Sequence, residues 1–188
     1  MIFSRLFHQL IRTQELDIPK DRNLWPQEWK QVDFKQYKRF PEILLPEPTK
    51  MSCALEEALG LRTSSRVFDE GAEFTLQELS TILHFGFGLK VSVKGIREST
   101  DENLAQTRRY YPSGGARYPL EVYIFIHSVS GVDSGVYHYD IANHSLRLIG
   151  CDSLLHDVSP LLHKNNQNPK LIMLLSMKQE RNAIKYKE

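Results

Sequence analysis

The sequence predicts an α+β fold. Helix-spaced apolar residues fill the first half of the ordered region, between positions 52 and 88. Strand-like apolar runs follow between 120 and 177, and no regular β–α alternation joins the two groups. A length of 188 residues suits one domain, or one domain with an arm. The chain is 41% hydrophobic and 25% charged, which excludes wholesale disorder.

Residues 1–50 carry Pro19, Pro26, Pro41, Pro46 and Pro48 among Trp25, Trp29, Phe34, Tyr37 and Phe40. Proline at that density interrupts helices, while the aromatics are too apolar for a free linker. This stretch reads as an extended arm with one or two short helices, lying on a body formed by 51–188. A separate peptide-binding module is the other reading.

Within the body, Ser52 is placed to cap a helix on which Ala54, Leu55, Ala58, Leu59 and Leu61 recur at helical spacing. Thr75 and Glu78 form a T-x-x-E capping box opening a second helix, with Leu76, Leu79, Ile82, Leu83 and Phe87 on one stripe. Gly86 and Gly88 are expected to end it. The polar run 90–107 reads as a loop or flap.

The run LEVYIFIH at 120–127 is apolar on both faces, as an interior strand is. Segments 136–140 and 145–149 form a hairpin turning around Asn143. Residues 151–163 have helical periodicity, and 170–177 is another apolar strand.

Function classes narrow with charge and cysteine use. Twenty-four Lys and Arg against 23 Asp and Glu leave +1, which provides no field to gather nucleic acid or an anionic membrane. Cys53 and Cys151 lack metal-type spacing. No segment has the core of a signal peptide or the length of a membrane span, so the expected setting is cytoplasmic.

Two motifs carry ligand chemistry. In Arg62-Thr63-Ser64-Ser65-Arg66, two guanidiniums flank hydroxyl donors, a set suited to phosphate. The plainer reading is a helix end whose arginines offset the dipole. In Pro112-Ser113-Gly114-Gly115-Ala116-Arg117-Tyr118-Pro119, adjacent glycines let main-chain N–H groups approach a flat or anionic ligand. Arg108, Arg109, Tyr110 and Tyr111 flank that turn. The plainer reading is a turn into a strand. His138 and Asp140 share a strand face near His144; a metal there is weighed against a solvated hairpin, which is preferred. Lys185-Tyr186 sit in a polar tail, where an ammonium beside a phenol makes a usable base; a frayed charged end is the alternative.

In order, RTSSRVF, TLQELSTILHFGFG, RRYYPSGGARYPLEVYIFI and GVYHYDIANHSLRLIG resemble the SagB-type (azoline dehydrogenase) branch of the FMN-dependent nitroreductase family. WPQEWK and FPEILLPEP in the arm are similar to that branch's leader. The resemblance implies a central, mostly antiparallel sheet with flanking helices, and FMN as cofactor. It implies that Arg62, Ser64 and Arg66 hold the FMN phosphate and ribityl chain, and that Pro112, Ser113, Gly114 and Gly115 reach the isoalloxazine. Lys185 and Tyr186 match the pair implicated in deprotonating the substrate ring.

The implied reaction oxidises thiazoline or oxazoline rings in a ribosomally made peptide to azoles. A general flavoenzyme acting on a small molecule, or a non-catalytic split subunit binding a partner chain, remains open. Family members continue beyond the Lys-Tyr pair with a helical section, so this chain is expected to hold the N-terminal portion of the fold. It is expected to pair as a homodimer or with a second chain that completes it.

Overall fold

The computed structural model describes residues 21–24, 34–64, 69, 71–90, 108–151, 153–154 and 169–182. Its strands are β1 (Glu42–Leu44), β2 (Leu120–Ile126), β3 (Gly135–Asp140), β4 (Ser145–Gly150) and β5 (Leu171–Met177). Its α-helices are α1 (Leu55–Leu61) and α2 (Leu76–Phe87). The strands form one sheet in the order β1-β4-β3-β2-β5, and every neighbouring pair is antiparallel.

β2 is interior, as its two-sided apolar sequence requires, and the two faces of the sheet differ in chemistry. Val122, Ile124 and Ile126 of β2 join Tyr137, Tyr139 and Leu146 in one apolar cluster with Leu79 and Leu83 of α2. Pleating turns Glu121, Tyr123, His138, Asp140 and Arg147 to the opposite face.

α2 begins as the capping box predicts. Thr75 Oγ accepts from the Glu78 N–H at 3.2 Å, and the Glu78 carboxylate accepts from the Thr75 N–H at 2.8 Å. The helix ends at Gly88, whose N–H donates to the His84 and Leu83 carbonyls. A Cβ at Gly88 would stand 2.6 Å from the His84 oxygen, so close approach selects glycine there. Gly86, expected to help end the helix, lies inside it.

His144, at φ 49° in the hairpin turn, joins helix to sheet. Its Nε2 meets Ser80 Oγ at 2.9 Å and its Nδ1 meets Tyr139 OH at 2.8 Å. Burial, then the neighbouring His84, lowers its pKa and favours the neutral ring that this pair of contacts needs.

The expected Ser52 cap is corrected. The cap of α1 is Ala54, with no side-chain bond, because the helix starts two residues later than a Ser52 cap requires. No residue of α1 is buried; Leu55, Leu59 and Leu61 are 74%, 66% and 72% exposed. The helix 151–163 lies outside the described residues except for 151 and 153–154, of which 153–154 are helical. Residues 91–107 of the expected flap also lie outside them. The ends of that excursion meet, with Lys90 N–H donating to the Arg108 carbonyl at 2.7 Å.

Position along the chain does not predict sensitivity to substitution here. Leu83→Ala, at a fully buried site, is expected to cost about 2–5 kcal/mol in denaturant unfolding. Leu59→Ala, on exposed α1, should stay within about 0.5 kcal/mol.

Candidate functional site

The twin-glycine turn is held in an unusual backbone conformation. Gly115, Ala116 and Tyr118 have φ of 57°, 56° and 47°. For residues other than glycine such angles cost on the order of 1–3 kcal/mol each and persist only where the surroundings dictate them. Several contacts do so. Ser113 Oγ accepts from the Tyr118 N–H at 2.8 Å, and the Ser113 and Gly114 carbonyls accept from the N–H groups of Ala116 and Arg117.

Two of the arginines around the turn, Arg109 and Arg117, are buried, whereas Arg108 is exposed. Arg109, only 4% exposed, donates to Tyr111 OH at 3.1 Å and to the Leu120 carbonyl at 3.3 Å. Its guanidinium also lies 5.3 Å from the Tyr118 ring centre. The Tyr111 and Tyr118 rings meet edge to face at 5.5 Å. Arg117 is buried, and its Nε donates to the Arg181 carbonyl at 2.7 Å. With those side chains turned inward, the turn exposes Pro112 and Gly114 and leaves Gly115 partly exposed. Among the described residues, the N–H groups of Gly114 and Gly115 have no acceptor.

Immediately behind the turn lies an ionic cluster. Glu121, 3% exposed, pairs through Oε1 with Arg181 Nη2 and through Oε2 with His138 Nε2 at 2.9 Å. Arg181 Nη1 donates to the Tyr118 carbonyl at 3.0 Å. Burial opposes ionisation of Glu121, but the His138 hydrogen bond and the Arg181 charge outweigh it and hold its pKa below the usual value.

The cluster continues across the polar face of the sheet. Tyr37 and Tyr123 pack on the His138 ring, with centres 4.9 Å and 5.3 Å away. Lys35 Nζ donates to Tyr123 OH, which stands 3.2 Å from Tyr37 OH. Burial would raise the Tyr37 pKa, yet the Lys35 and Tyr123 hydrogen bonds leave it lowered. At the far end, Arg147 Nη2 pairs with Glu42 at 2.7 Å, and Ser145 Oγ donates to the same carboxylate.

The expected site residues separate into three groups. Pro112, Ser113, Gly114 and Gly115 form the turn just described, leading into β2. Arg62 and Ser64 follow α1 and are exposed. Arg66, Lys185 and Tyr186 lie outside the described residues. The solvated hairpin is a correction: β3 is buried at every position, and His138 and Asp140 are consumed by Glu121 and Arg147 rather than by water. Residue-level reading missed Glu121, Arg181 and Lys35. The available signal was a single carboxylate in an otherwise apolar interior strand, which requires a buried cation nearby.

Comparison with solved structures identifies the architecture. A chain from Anabaena variabilis, described as a nitroreductase, superposes with a TM-score of 0.65 over 97% of this chain at 20% identity, covering 33% of its own length. Another from Ralstonia eutropha JMP134, similarly described, gives 0.55 over 74% of this chain at 26% identity, covering 57% of its length. The fold is that of the nitroreductases.

Sequence relatives agree with the nitroreductase fold. A protein named as a nitroreductase in Methanocaldococcus jannaschii is 36% identical over 118 residues, 63% of this chain and 52% of that protein. The trifolitoxin-processing protein TfxB of Rhizobium leguminosarum bv. trifolii is 32% identical over 96 residues, 48% of this chain and 25% of that protein. This chain therefore spans about half the length of the first relative and a quarter of the second. No family model matches it. Among the described residues, no helix is long and apolar enough to cross a membrane.

The Glu121 cluster makes stability depend on acid. Because folding lowers the Glu121 pKa from its ordinary 4.5, its contribution is complete above that value and is lost as pH falls through the lower folded value. Glu121→Gln should therefore flatten the acid limb of a stability–pH curve. At neutral pH it should cost about 3–5 kcal/mol in urea unfolding, because it leaves a buried guanidinium without its counter-charge.

Proposed function

We propose that this chain is the N-terminal portion of an FMN-dependent oxidoreductase that oxidises azoline rings in a ribosomally made peptide to azoles. The observation that carries the reading is the turn at Gly114–Gly115, which presents two N–H groups without acceptors among the described residues, ahead of the interior strand of a nitroreductase fold. Similarity to the trifolitoxin-processing protein supports the peptide over other substrates.

The donor set suits FMN. Arg62 and Ser64 offer exposed donors of the type that bind a phosphate, with Arg66 as a further donor by sequence. The Gly114 and Gly115 N–H groups match a flavin carbonyl or ring nitrogen, with Pro112 and Ser113 shaping the turn. When bound, FMN accepts the hydride that the ring loses.

The remaining steps belong to this chain's residues. Forming an azole from an azoline removes one proton and one hydride. The proton goes to the phenolate oxygen of Tyr186, and the ammonium of Lys185 holds that oxygen ionised near neutral pH.

Partner surface is available for completing the fold. β5, at the edge of the described sheet and of sequence LIMLLSM, carries neither charge nor proline, and Leu174, Leu175 and Met177 are 42%, 49% and 56% exposed. Uncharged open edges of this kind invite pairing. The partner is a second copy in a homodimer or another polypeptide.

A second reading, a general nitroreductase-like flavoenzyme acting on a small molecule, is favoured by the name of the Methanocaldococcus relative. The assays separate the two. Tyr186→Phe should retain bound FMN, read as absorbance near 450 nm, and lower azole formation about 100-fold or more. Equal azole formation by variant and parent would refute the base assignment, and nitro reduction without azole formation would favour the second reading. Arg62→Ala should weaken FMN binding about 10- to 100-fold in a fluorescence titration, as loss of a charged hydrogen bond does.

A further inference from the structure

A half-buried trio on the polar face of the sheet, Lys35, Tyr37 and Tyr123, takes no part in the flavin reading. Lys35 Nζ donates to Tyr123 OH, and Tyr37 OH stands 3.2 Å from the same oxygen. The ammonium lies 5.1 Å from the Tyr37 ring centre and 5.3 Å from that of Tyr123, so two aromatic rings hold it in place. Among the described residues it pairs with no carboxylate.

Hydrogen-bond chemistry gives the trio a direction. An ammonium can only donate, so the Tyr123 oxygen accepts from Lys35 and its own proton is free for Tyr37. Tyr37 is therefore the last acceptor in the chain, and its phenolate receives a bond strengthened by the Lys35 charge. The charged and titratable groups acting on Tyr37 are Lys35 of the arm, Tyr123 and Glu121 of β2, and His138 of β3, against whose ring it packs. Burial and the Glu121 charge oppose ionisation, but the Lys35 and Tyr123 hydrogen bonds outweigh them and leave the Tyr37 pKa below its ordinary 10.0. Burial keeps the Tyr123 pKa above that value. One phenol of the pair is thus selected to ionise.

The surroundings suit an electrophile with an apolar portion. Phe40, 41% exposed, meets Tyr37 edge to face with ring centres 5.9 Å apart, so an open apolar surface adjoins the phenol. We propose that Tyr37 is an acyl-acceptor site, at which the phenolate directed by Lys35 and Tyr123 takes an acyl group from an activated donor, a thioester or an acyl phosphate. The phenolate oxygen bonds to the acyl carbon, the bond from that carbon to its leaving group breaks, and the leaving group departs with the electron pair. The phenol proton goes to solvent, and no oxidant or reductant takes part. The ester forms where the arm meets the sheet, in place of the contact between the two hydroxyls.

The probe is N-acetylimidazole on the full chain, with acetylation of each tyrosine followed by peptide mass spectrometry. Tyr110, 38% exposed, is the internal reference, because exposure alone would make it at least as reactive as half-buried Tyr37. Near neutral pH, Tyr37 should acetylate about tenfold or more faster than Tyr110, as one hydrogen bond to a charged group allows. Lys35→Gln, which keeps a donor but removes the charge, should slow Tyr37 about tenfold or more and move its rate–pH profile to higher pH, with Tyr110 unchanged. Lys35→Arg keeps the charge and should stay within about threefold of the parent.

Tyr123→Phe retains the ring beside His138 but removes the relay. It should slow Tyr37 about 3- to 10-fold, and it decides the matter if Lys35→Gln does not fold. Tyr37 reacting no faster than Tyr110, or keeping its rate in Lys35→Gln, overturns the proposal. Acetylation of Tyr123 ahead of Tyr37 also overturns it, because the chain would then run the other way. The measurement needs no FMN, so its result stands whether or not the flavin reading holds.

Discussion

A carboxylate on an interior strand cannot be left without cations. Glu121 sits one residue into β2, behind the turn that the sequence marks for ligand binding. Its burial demands Arg181 on one oxygen and His138 on the other. From that demand follow the end of β5 lying beside the start of β2, the inward aim of Arg109 and Arg117, and a turn backed by charge instead of by oil. The apolar cluster against α2 supplies the bulk of the stability, whereas Glu121 determines how the site-bearing end of the sheet is assembled.

The same polarity explains how the proline-rich arm is held. Tyr37 covers the His138 ring, Lys35 caps Tyr123, and Glu42 pairs with Arg147, so the arm closes a face that an apolar helix could not. These contacts also remove the idea of a solvated hairpin. Alternating polar residues on β3 suggest water on one side, yet the arm, and not solvent, meets them. A strand pattern alone reports chemistry on a face without reporting what lies opposite.

Exposure elsewhere has a consistent pattern. α1 buries none of its leucines, and β5, the last strand of the described sheet, exposes three large apolar side chains. Arg62 and Ser64, exposed at the end of α1, lie in the same uncovered region of sequence as these leucines.

Local sequence determined the elements whose causes are local. The capping box of α2, the two-sided apolarity of β2 and the hairpin of β3 and β4 were legible because each arises from a few neighbouring residues. The twin-glycine turn was legible as a turn, since adjacent glycines permit it. Only tertiary structure decided that the strain of this turn falls partly on Ala116 and Tyr118, and that Arg181, some sixty residues later, holds it. It also decided that α1 remains unburied and that Lys35 belongs to the sheet. These outcomes depend on which distant groups meet, and buried charges choose their partners by three-dimensional proximity, which no run of neighbouring residues encodes.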